Sequence, residues 1–432
     1  MQISELYKLY LKHPSIQTDS RKLKEGDLFF ALKGPSFNGN LFANQAIADG
    51  AAYAIVDEEI KSFKKRIIRV ENVLNTLQEL AGYHRSQFIL SSDKKQVPFI
   101  AVTGSNGKTT SKELIHAVLS SVYKTYTTEG NLNNHIGIPL TMLKIKPDAE
   151  IAIIEMGANH QKEIAGYCTY TMPTHGVITN CGKAHLEGFG SEEGIRKGKG
   201  ELYDYLRANN GTAFVMWDYD YLQQMSTGIP NIITYGTHSA SITGKVKTSK
   251  GLLEVSITKG ADLDTIKTKL VGEYNLPNVL LAVVIGKYFN VPDEKIKLAL
   301  ESYIPSNSRS QLIEKDGNKI ILDAYNANPS SMKAAIENFA KMEGANKVLL
   351  LGGMMELGQE SLPEHQALIK FIKKYQWKNV VLVGGDFKKA DHPYLYFENS
   401  VQAKEWFRDQ KIVGTNILIK GSRSTQMEKV LG

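Results

Sequence analysis

Residues 97–110 read Val97-Pro98-Phe99-Ile100-Ala101-Val102-Thr103-Gly104-Ser105-Asn106-Gly107-Lys108-Thr109-Thr110, and this stretch decides the fold. Val97 to Val102 is a continuous apolar run of strand length, the pattern of a strand covered on both faces. A glycine-rich turn follows, then a helical pattern from Lys108 to Leu119. A strand that feeds a helix through such a turn presents backbone amides and a helix N-terminus to anions, so phosphate oxygens fit there. Lys108 can reach β and γ phosphates, and the Thr109 hydroxyl suits Mg²⁺. The candidate ATP contacts are therefore Gly104, Ser105, Asn106, Gly107, Lys108, Thr109 and Thr110. Val102 stands where the general phosphate-loop pattern has its first glycine, so the loop is a shortened form. A glycine turn with no ligand is the structural alternative.

Working outward, strand patterns recur at Ile151 to Glu155, Gly176 to Thr179 and Thr212 to Met216, with a helix from about Ser191 to Arg207. This alternation predicts a parallel sheet with helices on its faces. From about 230 to 272 the strands become short and glycine-punctuated, an expected antiparallel flap, before a helix at Pro277 to Tyr288. Past Ser306 come a hairpin (Gln311 to Glu314 and Lys319 to Leu322 around Asp316-Gly317) and strands at Lys347 to Leu351, Val380 to Val383 and Asn416 to Ile419. Upstream, Asp27 to Ala31, Phe42 to Asp49 and Ala52 to Val56 read as strand, helix and strand. The polar break Ser91 to Gln96 then serves as a linker. The expected fold is α/β in three domains: a small mixed α/β domain over 1–92, a central P-loop parallel-sheet ATPase-like domain over 97–305, and a Rossmann-like domain over 306–432.

The chain has 432 residues, 42% hydrophobic and 22% charged, which excludes disordered and fibrous classes and leaves room for two to four cores. Lys plus Arg exceeds Asp plus Glu by 52 to 45, a mild excess without a basic arm, so small polyanions fit better than nucleic acid. Cys168 and Cys181 are too few for a disulfide framework. Met1 to Glu5 has no signal pattern and no apolar run reaches membrane-spanning length, so a cytoplasmic protein without membrane insertion is expected.

Several side chains near this core are of types that carry chemistry. Glu155 closes a buried strand at the carboxyl edge of the sheet, where open α/β folds bind ligands. It reads as a strand-end cap or, beside a phosphate loop, as an oxygen ligand for Mg²⁺. His185, a few residues past the strand end at Thr179, reads as a structural histidine or a ligand. Lys199 shares its helix with Arg196 and Lys197 and by itself reads as part of a basic face. Asn275 and Asn278, in Tyr274-Asn275-Leu276-Pro277-Asn278, read as helix caps whose amides also suit the edge of a base. Residues 326–331 read equally well as a turn and a helix cap.

The loop 103–110 resembles that of the Mur ligases and folylpolyglutamate synthases. Glu129-Gly130-Asn131-Leu132-Asn133-Asn134-His135-Ile136-Gly137-Ile138-Pro139-Leu140-Thr141 resembles the Asn-Asn-x-x-Gly-x-Pro-Leu-Thr signature of the Mur branch that adds D-alanyl-D-alanine. Glu155-Met156-Gly157-Ala158-Asn159 and the run from Asn180 to Ser191 resemble two more of its signatures, and the similarity runs through all three expected domains.

That resemblance implies an ATP-dependent ligase that activates UDP-N-acetylmuramoyl-tripeptide as an acyl phosphate and joins it to D-alanyl-D-alanine in peptidoglycan precursor synthesis. It implies Lys108, Lys199, Glu155 and His185 as catalytic residues. It implies two Mg²⁺ ions served by Thr109, Glu155, His185 and a Lys199 carbamylated by CO₂. Such carbamylation needs a neutral amine, which metal charge and partial burial favour. Asn275, Asn278, Arg309 and Asp323 are implied around ATP. Ser20, Arg21 and Lys33, with Asn133 and Asn134, are implied at the UDP-linked substrate, and Asn326, Asn328, Ser422 and Arg423 near the dipeptide. A monomer is expected. Two departures stand out: Asn38-Gly39-Asn40 where the family has Asp-Gly-His, and Gly353 where Gly352-Gly353-Met354-Met355-Glu356-Leu357-Gly358 usually carries Asp. The rival readings are a sibling Mur ligase, a folylpolyglutamate synthase-like ligase, a P-loop ATPase switch that forms no amide, and a non-catalytic nucleotide-binding protein.

Overall fold

The computed structural model describes residues 1–61, 65–89, 96–248, 251–306, 308–344 and 346–432. The expected linker lies outside the described residues except for Gln96. The described residues gather into two compact units: Met1–Ala101 with Lys124–Gly157 and Glu163–Thr174, and Val102–Tyr123 with Ala158–Lys162 and His175–Gly432.

In the first unit, four short strands form an all-parallel sheet in chain order: Ile16–Gln17, Leu28–Phe30, Tyr53–Val56 and Ile67–Arg69. Alanines 31, 43, 46, 51 and 54 make up most of its core beside Phe29, Ile47 and Val56, and these small side chains let helix Ala43–Ala48 pack close to the strands. Helix Val73–Ser86 is capped by Asn72, whose side chain accepts from Asn75 N at 2.9 Å. It packs on helices Gly137–Leu143 and Glu163–Thr171. Arg85 on that helix is fully buried, yet its guanidinium donates to the Thr171 and Met172 carbonyls and lies 3.8 Å over the Phe99 ring, which is how a buried cation is tolerated. Strands Thr125–Thr127 and Ile151–Glu155 pair in parallel in the same unit.

The second unit holds the helix Lys108–Leu119, as the sequence predicts, packed on Leu276–Tyr288. The latter is apolar on nearly every face, the pattern of a helix enclosed by protein. Strands His175–Ile178, Thr212–Met216 and Asn231–Gly236 run parallel. The expected antiparallel flap over 230–272 is corrected here, because Asn231–Gly236 extends the parallel sheet. Antiparallel pairing begins only with Ile242–Thr248 against Glu254–Lys259, then Thr265–Lys267. Apolar alternation sets which face a residue takes but not the direction of its strand.

A second sheet in this unit orders its strands Gln311–Lys315, Asn318–Asp323, Asn416–Lys420, Lys347–Gly352, Asn379–Val383 and Leu395–Phe397. Only the first pair is antiparallel. Its turn has Asp316 at φ 52° and Gly317 at φ 72°, the two positive angles of a tight hairpin. Among the described residues, no helix is long and apolar enough to cross a membrane.

Candidate active site

The phosphate loop leaves strand Phe99–Thr103 through Gly104 at φ 137° and enters its helix through Gly107 at φ 80°. A methyl group at 104 would stand 2.0 Å from Thr179 Oγ1, and one at 107 would stand 2.7 Å from Asn278 Oδ1. Both glycines are therefore fixed by backbone angle and by close neighbours. The loop is pinned from the end of the adjacent strand His175–Ile178. Ser105 N donates to Asn180 O at 2.8 Å, Ser105 Oγ to Gly182 O at 2.7 Å, and Asn106 N to Asn180 Oδ1 at 3.1 Å. Thr179 Oγ1 donates to Asn106 O at 2.7 Å. Lys108 Nζ donates to the Gly104 and Ser105 carbonyls at 2.6 and 3.2 Å, so its ammonium is held over the loop. Thr109 is buried in the first turn, with Thr110 half-buried beside it.

Lys199 is 1% exposed, and its Nζ donates to Ala158 O at 2.9 Å and lies 5.0 Å from the Phe189 ring centre. The basic-face reading of this residue is thereby corrected, because the amine points into protein. Its helix, Glu192–Ala208, starts as expected, with Ser191 Oγ accepting from Gly194 N at 3.0 Å. His185 stands at φ 53°, and its Nδ1 is 2.5 Å from Glu356 Oε2. That close contact holds the Glu356 carboxyl below the usual carboxylate range, opposed by burial and aided by the charges of His185 and Lys108. In the first unit, Glu155 ends its strand at 1% exposure, with Asn133 Nδ2 donating to Oε1 at 2.7 Å and the backbone N donating to Thr128 Oγ1 at 3.0 Å. Among the described residues, no cluster of three or more His, Cys, Asp or Glu is placed to hold a metal ion; the expected donor set includes only two residues of those types.

Asn275 and Asn278 are buried in one hydrogen-bond chain. Ser111 Oγ donates to Asn278 Oδ1 at 2.9 Å, Asn278 Nδ2 to Asn275 Oδ1 at 2.8 Å, and Asn275 Nδ2 to Val271 O at 2.8 Å. Asn275 occupies the N-cap position of its helix but makes no side-chain cap bond, which corrects the simple capping reading. Asp323 pairs with the buried Lys420 at 2.5 Å and accepts from Ser310 N at 3.2 Å. Arg309 lies 3.5 Å over the Tyr325 ring, and Arg423, an ion-pair partner of Glu428, lies 6.0 Å from the same ring. The aromatic ring thus brings the two arginines to one place.

Asn328 does cap helix Pro329–Lys341, accepting from Ser331 N at 2.9 Å, and its Nδ2 also donates to Asn106 Oδ1 of the phosphate loop at 2.8 Å. Capping and a place at the nucleotide loop coexist. Asn326 is exposed and accepts from its neighbour Ala327 N; Ser422 Oγ lies 3.0 Å from Ser424 Oγ. Gly353 has a packing reason: a methyl group there would stand 2.7 Å from Gly385 Cα, so the aspartate usual in the family does not fit this backbone.

In the first unit, Asp19 caps the turn Ser20–Lys22, and Arg21 forks onto its carboxylate with two 2.8 Å bonds. Lys33 Nζ pairs with Asp57 at 3.0 Å and Glu58 at 2.9 Å. Asn40 Nδ2 donates to the same Asp57 at 2.8 Å, and Asn38 Nδ2 to Glu58 at 3.0 Å. The Asn-Gly-Asn departure is therefore a set of amide donors to two carboxylates. Asn134 caps locally, accepting from Gly137 N at 2.8 Å.

Sequence reasoning missed Asp57, Glu58, Ser111, Thr179, Glu356 and Glu364, which pairs with Lys183 at 2.8 Å; their partners lie far along the chain. The one available signal was at Glu356, inside a segment already matched to the family.

A family model of the Mur ligase middle domain matches residues 102–286, one of the Mur ligase glutamate ligase domain matches 308–422, and one of the Mur ligase family catalytic domain matches 14–85. Over 99% of its length the chain is 33% identical to a UDP-N-acetylmuramoyl-tripeptide--D-alanyl-D-alanine ligase of Bacillus subtilis (strain 168), covering 96% of it. It is similar to the crystal structure of MurF from Acinetobacter baumannii at a TM-score of 0.87 and 30% identity, over 96% of this chain and 92% of that one. It is also similar to MurF ligase from Thermotoga maritima in complex with ADP, at 0.86 and 27%, over 98% and 97%.

Proposed function

The chain belongs to the Mur ligase family, and from that membership we propose that it joins D-alanyl-D-alanine to UDP-N-acetylmuramoyl-tripeptide with ATP, as a cytoplasmic monomer. It is an enzyme with a three-domain α/β fold. We assign 1–92 to the UDP-linked substrate, 97–305 to ATP and 306–432 to the dipeptide. What carries the reading is the likeness along 99% of the chain to a ligase of that name.

In the first step a carboxylate oxygen of the tripeptide forms a bond to the γ phosphorus, the bond to the ADP oxygen breaks, and ADP leaves. Lys108 turns from the loop carbonyls toward the β and γ oxygens, where its charge offsets the charge of the transferring group. Gly104 and Gly107 hold the loop amides open to the phosphates. In the second step the dipeptide amine, its proton released, attacks the acyl carbon, the carbon–oxygen bond to phosphate breaks, and inorganic phosphate leaves. The acyl phosphate needs protection from water, which is the purpose we assign to domain closure.

The donors suit Mg²⁺. Glu155 is a carboxylate at 1% exposure, costly to bury unless it meets donors or a cation. Thr109 offers a hydroxyl at the loop, His185 an imidazole, and Lys199 an enclosed amine whose carbamate would be an oxygen ligand. A bound Mg²⁺ would polarise the γ-phosphoryl group. Asn275, Asn278, Arg309 and Asp323 are assigned to ATP, and Ser20, Arg21, Lys33, Asn133 and Asn134 to the UDP-linked substrate. Asn326, Asn328, Ser422 and Arg423 are assigned to the dipeptide. The test is ¹⁸O transfer from a tripeptide labelled in its terminal carboxylate. An acyl phosphate puts one ¹⁸O into the released phosphate, whereas an ATPase switch releases unlabelled phosphate.

A further inference from the structure

We propose that Glu356 is a positioning residue for phosphoryl transfer, reaching from the last sheet to fix the ring of His185. It lies just after strand Lys347–Gly352 and meets the loop past His175–Ile178 at two points. Its Oε2 is 2.5 Å from His185 Nδ1, and its carbonyl accepts from Glu187 N at 3.2 Å. Both His185 at φ 53° and Glu356 at φ 60° adopt the left-handed backbone that non-glycine residues avoid, so the pair meets at the expense of local strain. The loop carrying His185 is the one whose Asn180 and Gly182 carbonyls pin Ser105, so Glu356 is tied to the scaffold of the phosphate loop.

A carboxylate 2.5 Å from Nδ1 favours the tautomer with its proton on that nitrogen, with the Nε2 lone pair left to bind. Carboxylate partners of this kind orient metal-bound histidines and raise their basicity. The inference rests on the proposed role of His185 at Mg²⁺. It adds that the ring is set by a residue outside the nucleotide-binding sheet. Two further contacts join neighbouring segments: Lys183 Nζ with Glu364 at 2.8 Å, and Asn106 with Asn328 at 2.8 Å. Through the Glu356 contact, seating of the dipeptide domain is coupled to readiness of the phosphate site.

The experiment uses the full chain with ADP and follows Mn²⁺ binding by electron paramagnetic resonance, for Glu356→Ala, Glu364→Ala and His185→Ala. Histidine ¹⁵N spectra of the metal-free protein report the His185 tautomer. Glu356→Ala is expected to weaken Mn²⁺ about tenfold or more and to release the tautomer. Glu364→Ala, which removes a docking contact without touching His185, is expected to leave Mn²⁺ affinity within about twofold. Unchanged Mn²⁺ affinity and tautomer in Glu356→Ala, with a loss in His185→Ala, overturns the proposal alone. Unchanged affinity in His185→Ala overturns the metal reading of His185, and the proposal with it.

Discussion

Replacing Gly104 by alanine tests the phosphate loop most sharply. The new methyl group would lie 2.0 Å from Thr179 Oγ1 and 3.0 and 3.1 Å from the backbone nitrogens of Thr179 and Asn180. The hydroxyl must swing away and give up its 2.7 Å bond to Asn106 O, a loss of about 1 kcal/mol. Holding a non-glycine residue at φ 137° costs about 1–2 kcal/mol more. The sum, about 2–3 kcal/mol, corresponds to roughly 30- to 150-fold weaker nucleotide binding if the loop opens to relieve it. Calorimetric titration with ADP reads the loss, and urea unfolding reports how much falls on global stability instead. In a Thr179→Ala background the side-chain clash is gone, so the same glycine substitution should weaken binding by only about 1–2 kcal/mol. Unchanged ADP affinity and stability in Gly104→Ala, or identical losses in both backgrounds, would refute the reasoning.

Lys108→Ala should lower kcat about 100-fold or more while leaving the melting temperature within a few degrees, since its amine bonds carbonyls of the loop itself; steady-state ADP release and a thermal melt check both. His175 is buried against Phe214 and Tyr288, and burial pushes its imidazole down to about 4 from 6.5. Its folded value is depressed, so its neutral form stabilises the fold above pH 6.5. That contribution, about 3 kcal/mol, should be lost as pH falls from 6.5 toward 4. Denaturant midpoints against pH should therefore flatten in His175→Phe over that window, and an unchanged slope counts against it. For Lys199, ¹³CO₂ should give a carbamate carbon signal that Lys199→Ala lacks, and a bicarbonate-depleted assay should run slower.

Local pattern carried much of the fold. Helix Lys108–Leu119 and strands Ile151–Glu155 and Thr212–Met216 have the ends read from sequence, because buried apolar runs and glycine turns set them within a few residues. The direction of Asn231–Gly236 and the edge strand Leu395–Phe397 were missed, since partner and direction are decided by residues distant in sequence. At the site the phosphate loop was legible from its own residues, whereas Lys199 was not. A lysine beside Arg196 and Lys197 looks exposed until the helix phase turns it onto Ala158 and Phe189. Gly353 looked like a lost aspartate, and only its approach to Gly385 explains it. Glu356 carried no local signal for its partner His185, which precedes it by 171 positions.

The central claim is that ATP hydrolysis here is tied to forming an amide with D-alanyl-D-alanine. ADP release should be measured with UDP-N-acetylmuramoyl-tripeptide in its diaminopimelate and lysine forms, with and without the dipeptide, with mass spectrometry of the products. Turnover that requires the dipeptide, with one pentapeptide formed per ADP, is the predicted result and names the acceptor. ADP release that ignores the dipeptide, with no new amide from either acceptor, would contradict it.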